Sequence, residues 1–152
     1  MKNTIIVACA VLMLIACKAT PTPLVADVTY KSYEKQIMSV ASIGYGSKLE
    51  TALENAQKNA IDVILFRGVP NSSLNTPLVG TNESNAKQTH QSYFEEFYAN
   101  KRYTSFITQS VSNTPIKKLE NGNKGIKATI KVNIEALKRD LESNGIIRKF
   151  GY

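Results

Sequence analysis

The side chains that proteins most often use for catalysis or metal binding are scarce in this chain. Its single histidine is His90, and its two cysteines, Cys9 and Cys17, lie near the N-terminus. Because no cysteine follows Cys17, residues 18–152 contain no internal disulfide, thiolate metal site or cysteine nucleophile. Catalytic triads and zinc sites generally use histidine, but no carboxylate lies at metal-ligand spacing from His90 on a clear helix face. We therefore predict that the protein is not an enzyme and has no metal or cofactor, with His90 as a surface or capping residue.

Two adjacent carboxylates, Glu95 and Glu96, keep one enzymatic alternative open. Glycoside hydrolysis needs only a pair of carboxylates that flank the scissile bond. Neighbouring side chains on a helix point in different directions, so we expect Glu95 to cap its helix and Glu96 to face water. An enzyme that acts on cell-wall glycan, or an accessory subunit of one, is the alternative to a protein that only binds.

Glycines at positions 44 and 46 precede a predicted helix, which partly matches a phosphate-binding turn. The full fingerprint requires a third glycine and an acidic residue after a second strand. Neither feature is clear in this sequence. Close packing of a strand against a helix is the simpler explanation of Gly44 and Gly46.

Positive charge is concentrated in the C-terminal third of the chain. Residues 101–152 carry 11 basic and 4 acidic groups, whereas residues 17–100 carry 7 and 8. Lys124, Lys127 and Lys131 lie on or beside the outward face of a predicted strand, and we predict that they form a binding face. Such a face attracts an anionic envelope polymer, phosphate head groups or an acidic envelope protein. The alternative is that these lysines keep the sheet soluble and block edge pairing.

Cys17 ends an apolar run near the N-terminus. Residues 5–15 are all apolar, too few to span a bilayer as a helix, which needs about 20. With Lys2 as the positive n-region, the run is typical of a secretory signal peptide. Its end, Leu14-Ile15-Ala16-Cys17, resembles the lipobox of bacterial lipoproteins.

In lipoproteins the cysteine of the lipobox becomes diacylglyceryl-modified, the chain is cut before it, and the new amino group is usually acylated. The resemblance implies removal of residues 1–16 and a membrane anchor on Cys17. Lys18 follows the cysteine where an aspartate often retains lipoproteins in the inner membrane, so we expect the outer membrane of a bacterial envelope. Export also makes nucleic acid a poor partner. Cleavage after Ala19, or an uncleaved anchor, is the alternative.

The remaining sequence predicts the elements that would position these residues. Residues 28–45 favour a strand, and Ser47-x-x-Glu50 is a capping box for a helix that ends at Gly68. The predicted apolar stripe of this helix is Leu49, Leu53, Ala56, Ala60, Val63 and Ile64. A polar loop spans residues 69–89, and Ser92-x-x-Glu95 is a second capping box.

The second capping box precedes a short helix that we expect to end near Asn100. The aromatic residues of this helix are Tyr93, Phe94, Phe97 and Tyr98. Together with Tyr103 they form either a core cluster, which we favour, or a binding platform. A β-rich stretch interrupted by Pro115 and a turn at Asn121-Gly122 predict a long hairpin. Its second strand buries Ile126, Ala128, Ile130 and Val132, and Asn133 caps a final helix that Gly145 stops.

This order of elements predicts a two-layer α+β sandwich, with a mostly antiparallel sheet and a long helix and one or two shorter helices packed on it. We predict a signal peptide (residues 1–16), a lipidated cysteine and flexible tether (residues 17–35) and a single domain (residues 36–152).

The segment from Ser42 to Ser47, with Ala52, Ala56 and Ala60, resembles the core of a family of small outer-membrane lipoproteins. It is also similar to the N-terminal domain of the flagellar assembly protein T. The run Lys131-Val132-Asn133-Ile134 near the C-terminus is similar too. The resemblance covers roughly residues 36–147, and the loop at residues 69–89 departs from it. It implies envelope scaffolding or surface binding and supplies no catalytic residues.

Overall fold

The computed structural model describes residues 27–148, in which two strands, a series of helices, three more strands and a last helix follow one another. Residues 1–26 and 149–152 lie outside this range, and so do the predicted signal peptide and Cys17. The described elements, in chain order, are β1 (Val28–Glu34), β2 (Ile37–Tyr45), α1 (Leu49–Phe66), α2 (Glu83–Thr89), α3 (Gln91–Ala99), a 3₁₀ helix (Arg102–Phe106), β3 (Ile107–Ser112), β4 (Lys117–Lys118), β5 (Lys124–Asn133) and α4 (Ile134–Ser143).

The strands form one antiparallel sheet in the order β1-β2-β5-β3, with the short β4 also paired to β5. Helix α1 packs across β2 and β5, while α3 and α4 contact the 3₁₀ helix beside it. The predicted fold class, a two-layer α+β sandwich with a mostly antiparallel sheet, is confirmed.

The folded domain starts earlier than the sequence indicated. We predicted a flexible tether through residue 35, but Val28–Glu34 forms β1 and pairs with β2. Val28 is buried and Tyr30 packs against the core. The sequence analysis assigned residues 28–35 both to the tether and to a predicted strand, and the structure has a strand there. This strand does not run unbroken to residue 45: the chain turns at Lys35 and Gln36, both with positive φ, and continues as β2.

The alternation predicted for β5 is confirmed. The side chains directed toward the helices are fully buried, whereas those on the other face are exposed or half-exposed. The buried set is Ile126, Ala128, Ile130 and Val132, and the outward set is Lys127, Thr129 and Lys131. Strand β2 continues the same layer, with Met38 and Val40 under the helices. The core therefore lies between one face of the sheet and the helices.

Helix α1 begins differently from the prediction. The capping box at Ser47 and Glu50 is not formed: α1 starts at Leu49, and its N-cap is Lys48 without a side-chain capping bond. The backbone amide of Gly46 donates to the carbonyl of Lys124 at 3.0 Å. This bond holds the chain against β5 just before the helix, which shifts Ser47 out of the capping position.

The buried stripe of α1 is also rotated from the predicted one. Ala56, Ala60, Val63 and Ile64 are buried as expected, but Leu49 is 51% exposed and Ala52 is buried in its place. A Cβ added to Gly44 would lie 1.9 Å from the carbonyl oxygen of Ala52. The strand and helix approach too closely there for a leucine, so small residues occupy the contact.

The end of α1 agrees with the prediction, whereas the loop after it is shorter than expected. Gly68 has φ +75°, and its amide donates to the carbonyl of Val63 at 2.7 Å. The predicted loop at residues 69–89 includes α2, whose N-cap is Asn82. The amide of Val79 donates to the carbonyl of Leu65, and Arg67 forms an ion pair with Glu83. These contacts fasten the segment to the end of α1.

The predicted aromatic helix is α3, and its aromatic residues are core. Phe94, Phe97 and Tyr103 are buried, with Phe97 stacked on Phe106 at a centroid distance of 6.0 Å. The capping box at Ser92 is wrong, since α3 begins at Gln91 after the N-cap His90. The helix ends at Ala99, close to the predicted position.

The turn and the last helix follow the sequence closely. Gly122 has φ +83° in the turn between β4 and β5. Asn133 caps α4 by accepting a hydrogen bond from the amide of Ala136 at 3.0 Å. Gly145 follows the helix with φ +68°. Within residues 27–148, no helix has both the length and the hydropathy needed to cross a membrane.

Candidate functional site

The face of the sheet opposite the helices is not covered by another layer of the described structure. We call it the open face and define it by Lys31, Ala41, Ile43, Val111, Lys127, Thr129 and Lys131. Thr129 lies at its centre, opposite Ala41 of β2 and Val111 of β3. Val111 is 45% exposed.

Three lysines project from this face. Lys127 and Lys131 belong to β5, and Lys31 lies in β1 where its register with β2 shifts. The Lys31 Nζ donates to Thr129 Oγ1 at 3.2 Å, which requires it to cross β2 above the small Ala41. None of the three lysines forms an ion pair with a carboxylate in residues 27–148.

Of the three lysines predicted to form a binding face, the structure brings Lys127 and Lys131 together on the open face but not Lys124. Side chains of a strand alternate between faces, and three positions separate Lys124 from Lys127. Lys124 lies at the start of β5, opposite Lys118 of β4, and shares the parity of the buried Ile126. The structure places Lys124 at one end of the sheet and adds Lys31, which we had assigned to the tether, to the open face.

An open groove of about 450 Å³ lies at one end of the open face. Ile43 and Lys127, which face each other across β2 and β5, line it together with Tyr45. Asp27 and residues 117–121 complete the lining. The groove therefore combines an aromatic ring, apolar side chains, three lysines and two carboxylates.

Tyr45 is held in this groove by two polar neighbours. Its hydroxyl donates to both carboxylate oxygens of Asp27 at 3.1 Å and accepts from Asn121 Nδ2 at 3.0 Å. Partial burial and the Asp27 carboxylate raise the pKa of Tyr45 above its ordinary value, so the hydroxyl stays protonated. The three side chains fix the position of the aromatic ring beside Lys127.

The strand that carries Tyr45 is held against α1 by polar side chains that the sequence analysis did not identify. Pairing between β1 and β2 stops at Ser42. Beyond it, Asn59 Nδ2 donates to the carbonyl of Ile43 at 2.8 Å, and the amide of Tyr45 donates to Asn55 Oδ1 at 2.8 Å. The two asparagines replace the missing strand as hydrogen-bond partners. Their positions on the face of α1 toward Gly44 are the signal that could have revealed them.

The described geometry gives little support for a catalytic role of the carboxylates or of His90. Glu95 and Glu96 are exposed on α3, and Glu95 accepts a bond from Gln91 at 2.7 Å. Neither lines the groove, whose acidic residues are Asp27, bonded to Tyr45, and the exposed Glu120. In residues 27–148, no cluster of histidine, cysteine and carboxylate side chains has the geometry of a metal site. His90 is half-buried between α2 and α3.

Two further carboxylates are partnered within the helical layer. Asp62 accepts a short hydrogen bond from Tyr98, and its burial raises the pKa of the Asp62 carboxyl. Asp140 accepts from Tyr93 at 2.7 Å and from Arg102 at 2.9 Å, with the guanidinium over the Tyr93 ring. These contacts join α1 to α3 and α3 to α4, so they hold the helices together.

The open face and its groove thus provide cationic and aromatic binding groups without a paired catalytic set. Comparison of the chain with models of known protein families, with curated proteins and with solved structures found no match. The resemblance of residues 42–47 to outer-membrane lipoproteins and to the flagellar assembly protein T stays a prediction.

Proposed function

We propose that the protein is a lipid-anchored component of the bacterial cell envelope, and that its open face binds an anionic envelope polymer without catalysing a reaction. The observation that carries the proposal is the set of three lysines on an uncovered sheet face, none with a carboxylate partner in the described residues.

The position of these lysines argues against a purely protective role. Lysines that prevent aggregation are most useful on edge strands. Lys127 and Lys131 belong to β5, which lies between β2 and β3. They protect no edge, and their charges are free to meet an external anion.

The spacing of the lysines favours a repeating partner over a single small anion. Lys127 and Lys131 are four residues apart on one strand, which corresponds to roughly 13 Å. Two anionic groups of one polymer chain span such a distance, whereas one phosphate or carboxylate does not. The groove beside Tyr45 adds a surface against which a sugar ring packs.

Retention on an anionic polysaccharide tests the binding face. The triple variant Lys31→Gln/Lys127→Gln/Lys131→Gln is expected to bind dextran sulfate at least about tenfold more weakly than the wild type, since an exposed ion contact contributes roughly 0.5–1 kcal/mol. Neutral dextran is expected to retain neither protein. Affinity is measured by equilibrium binding at low and at moderate salt.

A second triple variant controls for net charge. Lys35→Gln/Lys138→Gln/Arg148→Gln removes the same charge from positions outside the open face, and these residues form no ion pair in residues 27–148. It is expected to bind nearly as well as the wild type. Equal loss in both variants would mean that binding depends on total charge, and the proposed face would be wrong.

The anchor is tested separately at Cys17. The wild-type protein is expected to incorporate radiolabelled palmitate and to fractionate with membranes. Cys17→Ser is expected to lose both, because acyl chains supply the hydrophobic attachment. Unchanged membrane retention of Cys17→Ser would contradict the anchor without affecting the test of the open face.

A further inference from the structure

One end of the domain combines exposed lysines with the exposed Leu49 and the half-buried Ile116. We call it the basic end and define it by Lys48, Leu49, Ile116, Lys118 and Lys124. Leu49 and Ile116 line one open hollow with residues 112–115. Lys118 opposes Lys124 across β4 and β5, and the Lys124 carbonyl accepts the Gly46 amide just before Lys48. The five residues therefore lie at the same end of the sheet.

The charges of the basic end are not neutralised within the described structure. Lys118 and Lys124 form a directly opposed pair of like charges, which is destabilising in a sheet. Lys48, Lys118 and Lys124 are exposed, and none forms an ion pair in residues 27–148. The acidic neighbours are the exposed Glu50 and Glu120 and the half-buried Asp27, whose carboxylate accepts the Tyr45 hydroxyl. An external anionic surface would relieve this repulsion.

Apolar groups accompany these lysines. Leu49 is 51% exposed, although it lies at the first turn of α1 where a polar residue would suffice. Beside it, the hollow lined by Pro115 and Ile116 is mainly apolar. Lysines around exposed aliphatic side chains are typical of surfaces that enter the interface of an anionic bilayer.

The course of the chain indicates which surface lies at this end. The described structure begins at Asp27, whose carboxylate bonds to Tyr45 at the end of β2 that leads toward Lys48. Asp27 is ten positions after Cys17 in the chain, so the start of the domain lies within about 35 Å of a lipid on that cysteine. A domain tethered from this end presents the basic end to the bilayer.

We propose that the basic end rests on the anchoring bilayer and binds its anionic phospholipids, with Leu49 in the interfacial region. This inference adds an orientation to the proposed lipid anchor. The basic end lies at one end of the antiparallel strands, so the strand axes stand upright on the membrane. The open face then points sideways, accessible to an envelope polymer.

Vesicle binding of the non-lipidated chain tests the surface without the anchor. The exported chain from residue 17 with Cys17→Ser is mixed with vesicles of phosphatidylcholine and phosphatidylglycerol, or of phosphatidylcholine alone. It is expected to sediment only with the anionic vesicles. The additional changes Lys48→Gln/Lys118→Gln/Lys124→Gln are expected to weaken that binding about a hundredfold, since each lysine near an anionic surface contributes roughly fivefold.

The open-face triple variant is the matched control, because it removes the same number of charges. Lys31→Gln/Lys127→Gln/Lys131→Gln, also with Cys17→Ser, is expected to weaken vesicle binding less than about fivefold. Equal losses in the two triple variants, or equal binding of the starting protein to both kinds of vesicle, would overturn the inference. The palmitate experiment on Cys17 is independent, so an error in the anchor is distinguishable from an error in this surface.

A fluorescent label reports the contact directly. An environment-sensitive dye on Leu49→Cys, in the Cys17→Ser chain that begins at residue 17, is expected to shift to the blue with anionic vesicles. The same dye on Glu34→Cys, an exposed position at the opposite end of β1, is expected to stay unchanged. A shift at residue 34 without one at residue 49 would contradict the orientation.

Discussion

On the helix side of the sheet, β5 presents four fully buried apolar side chains, whereas on the open side it presents two lysines and a threonine. The same backbone therefore supports two surfaces with opposite physical demands. The covered surface is confined by α1, whose backbone lies so close to β2 that only glycine fits at position 44. The open surface has no such neighbour in residues 27–148.

This difference separates stability from binding. Changes on the covered face alter packing or leave backbone groups without partners, so their cost appears in the free energy of unfolding. Changes on the open face replace one solvated side chain with another, so we expect them to alter the proposed affinity for an anionic polymer and to leave the free energy of unfolding nearly unchanged. Each variant on the covered face can therefore be compared with a matched variant on the open face of the same strands.

The largest expected effect is at the closest approach of strand and helix. In Gly44→Ala the new Cβ would overlap the Ala52 carbonyl oxygen and lie 2.8 Å from the Ala56 Cβ. The backbone must move, and we expect a loss of about 3 kcal/mol or more in the free energy of unfolding, the upper part of the range for overpacking. Chemical denaturation followed by circular dichroism measures it.

Ala41→Val is the matched change on the open face of the same strand. Ala41 is half-exposed, and valine favours strands. The expected change is within about 0.5 kcal/mol. A loss comparable to that of Gly44→Ala would show that the open face is more confined than the structure indicates.

The second-largest expected effect is the loss of a hydrogen bond between α1 and β2. Asn59 is 2% exposed and donates to the carbonyl of Ile43. Asn59→Leu removes the donor and leaves the partly buried Ile43 carbonyl without this partner, so we expect a loss of about 1–3 kcal/mol in the free energy of unfolding, measured by chemical denaturation.

Gln57→Leu provides the control for Asn59→Leu on α1. Gln57 is half-buried and forms no side-chain hydrogen bond to another described residue. The free energy of unfolding of Gln57→Leu is expected to differ from that of the wild type by less than about 0.5 kcal/mol. If the two leucine variants were equally stable, the asparagine would not be replacing the missing strand.

The contrast between Gly44 and Asn59 also shows how far the sequence could predict this structure. Alternation in β5, the glycine at the end of α1 and the cap at Asn133 are local patterns, and each is confirmed. The capping boxes at Ser47 and Ser92 are equally local, but tertiary contacts shift both helices by one or more residues. Local patterns therefore predict the elements better than their exact ends.

The candidate site was harder to predict because it is assembled across strands. The alternation of β5 predicts that Lys127 and Lys131 share a face. The same alternation puts Lys124, three positions before Lys127, on the other face, and the sequence analysis overlooked this. Lys31 reaches the open face only because β1 pairs with β2, a long-range contact that the local sequence does not indicate. The groove at Tyr45 joins residues far apart in the chain, Asp27 and Asn121, and nothing in their local sequence indicates that they meet.

Alkaline pH is a third condition that is expected to destabilise the helical layer on the covered side of the sheet. Burial, the largest cause in each case, raises the pKa of Tyr93 and Tyr98 and raises the pKa of Tyr103 to about 12. The unfolded chain releases these protons near pH 10, so the contribution to stability is full below that pH. It is lost as the pH rises through the higher folded-state values.

We therefore expect the free energy of unfolding to fall from about pH 10 upward, as measured by denaturation at several pH values. Tyr103→Phe removes one of the contributing hydroxyls and is expected to reduce the slope. A slope equal to that of the wild type would exclude Tyr103 as a contributor, and would place the ionising group elsewhere.

The smallest expected effect on stability is on the open face. Lys127→Gln/Lys131→Gln removes two exposed or half-exposed charges that form no ion pair in the described part of the chain. We expect the free energy of unfolding to change by less than about 0.5 kcal/mol, with a slight gain at low salt because like charges on one face repel. If the loss instead approached that of Asn59→Leu, the lysine stems would be packing against the sheet and contributing to the fold. Unchanged stability together with weaker binding to dextran sulfate would show that these two lysines act in recognition alone, and that one strand divides the two tasks between its faces.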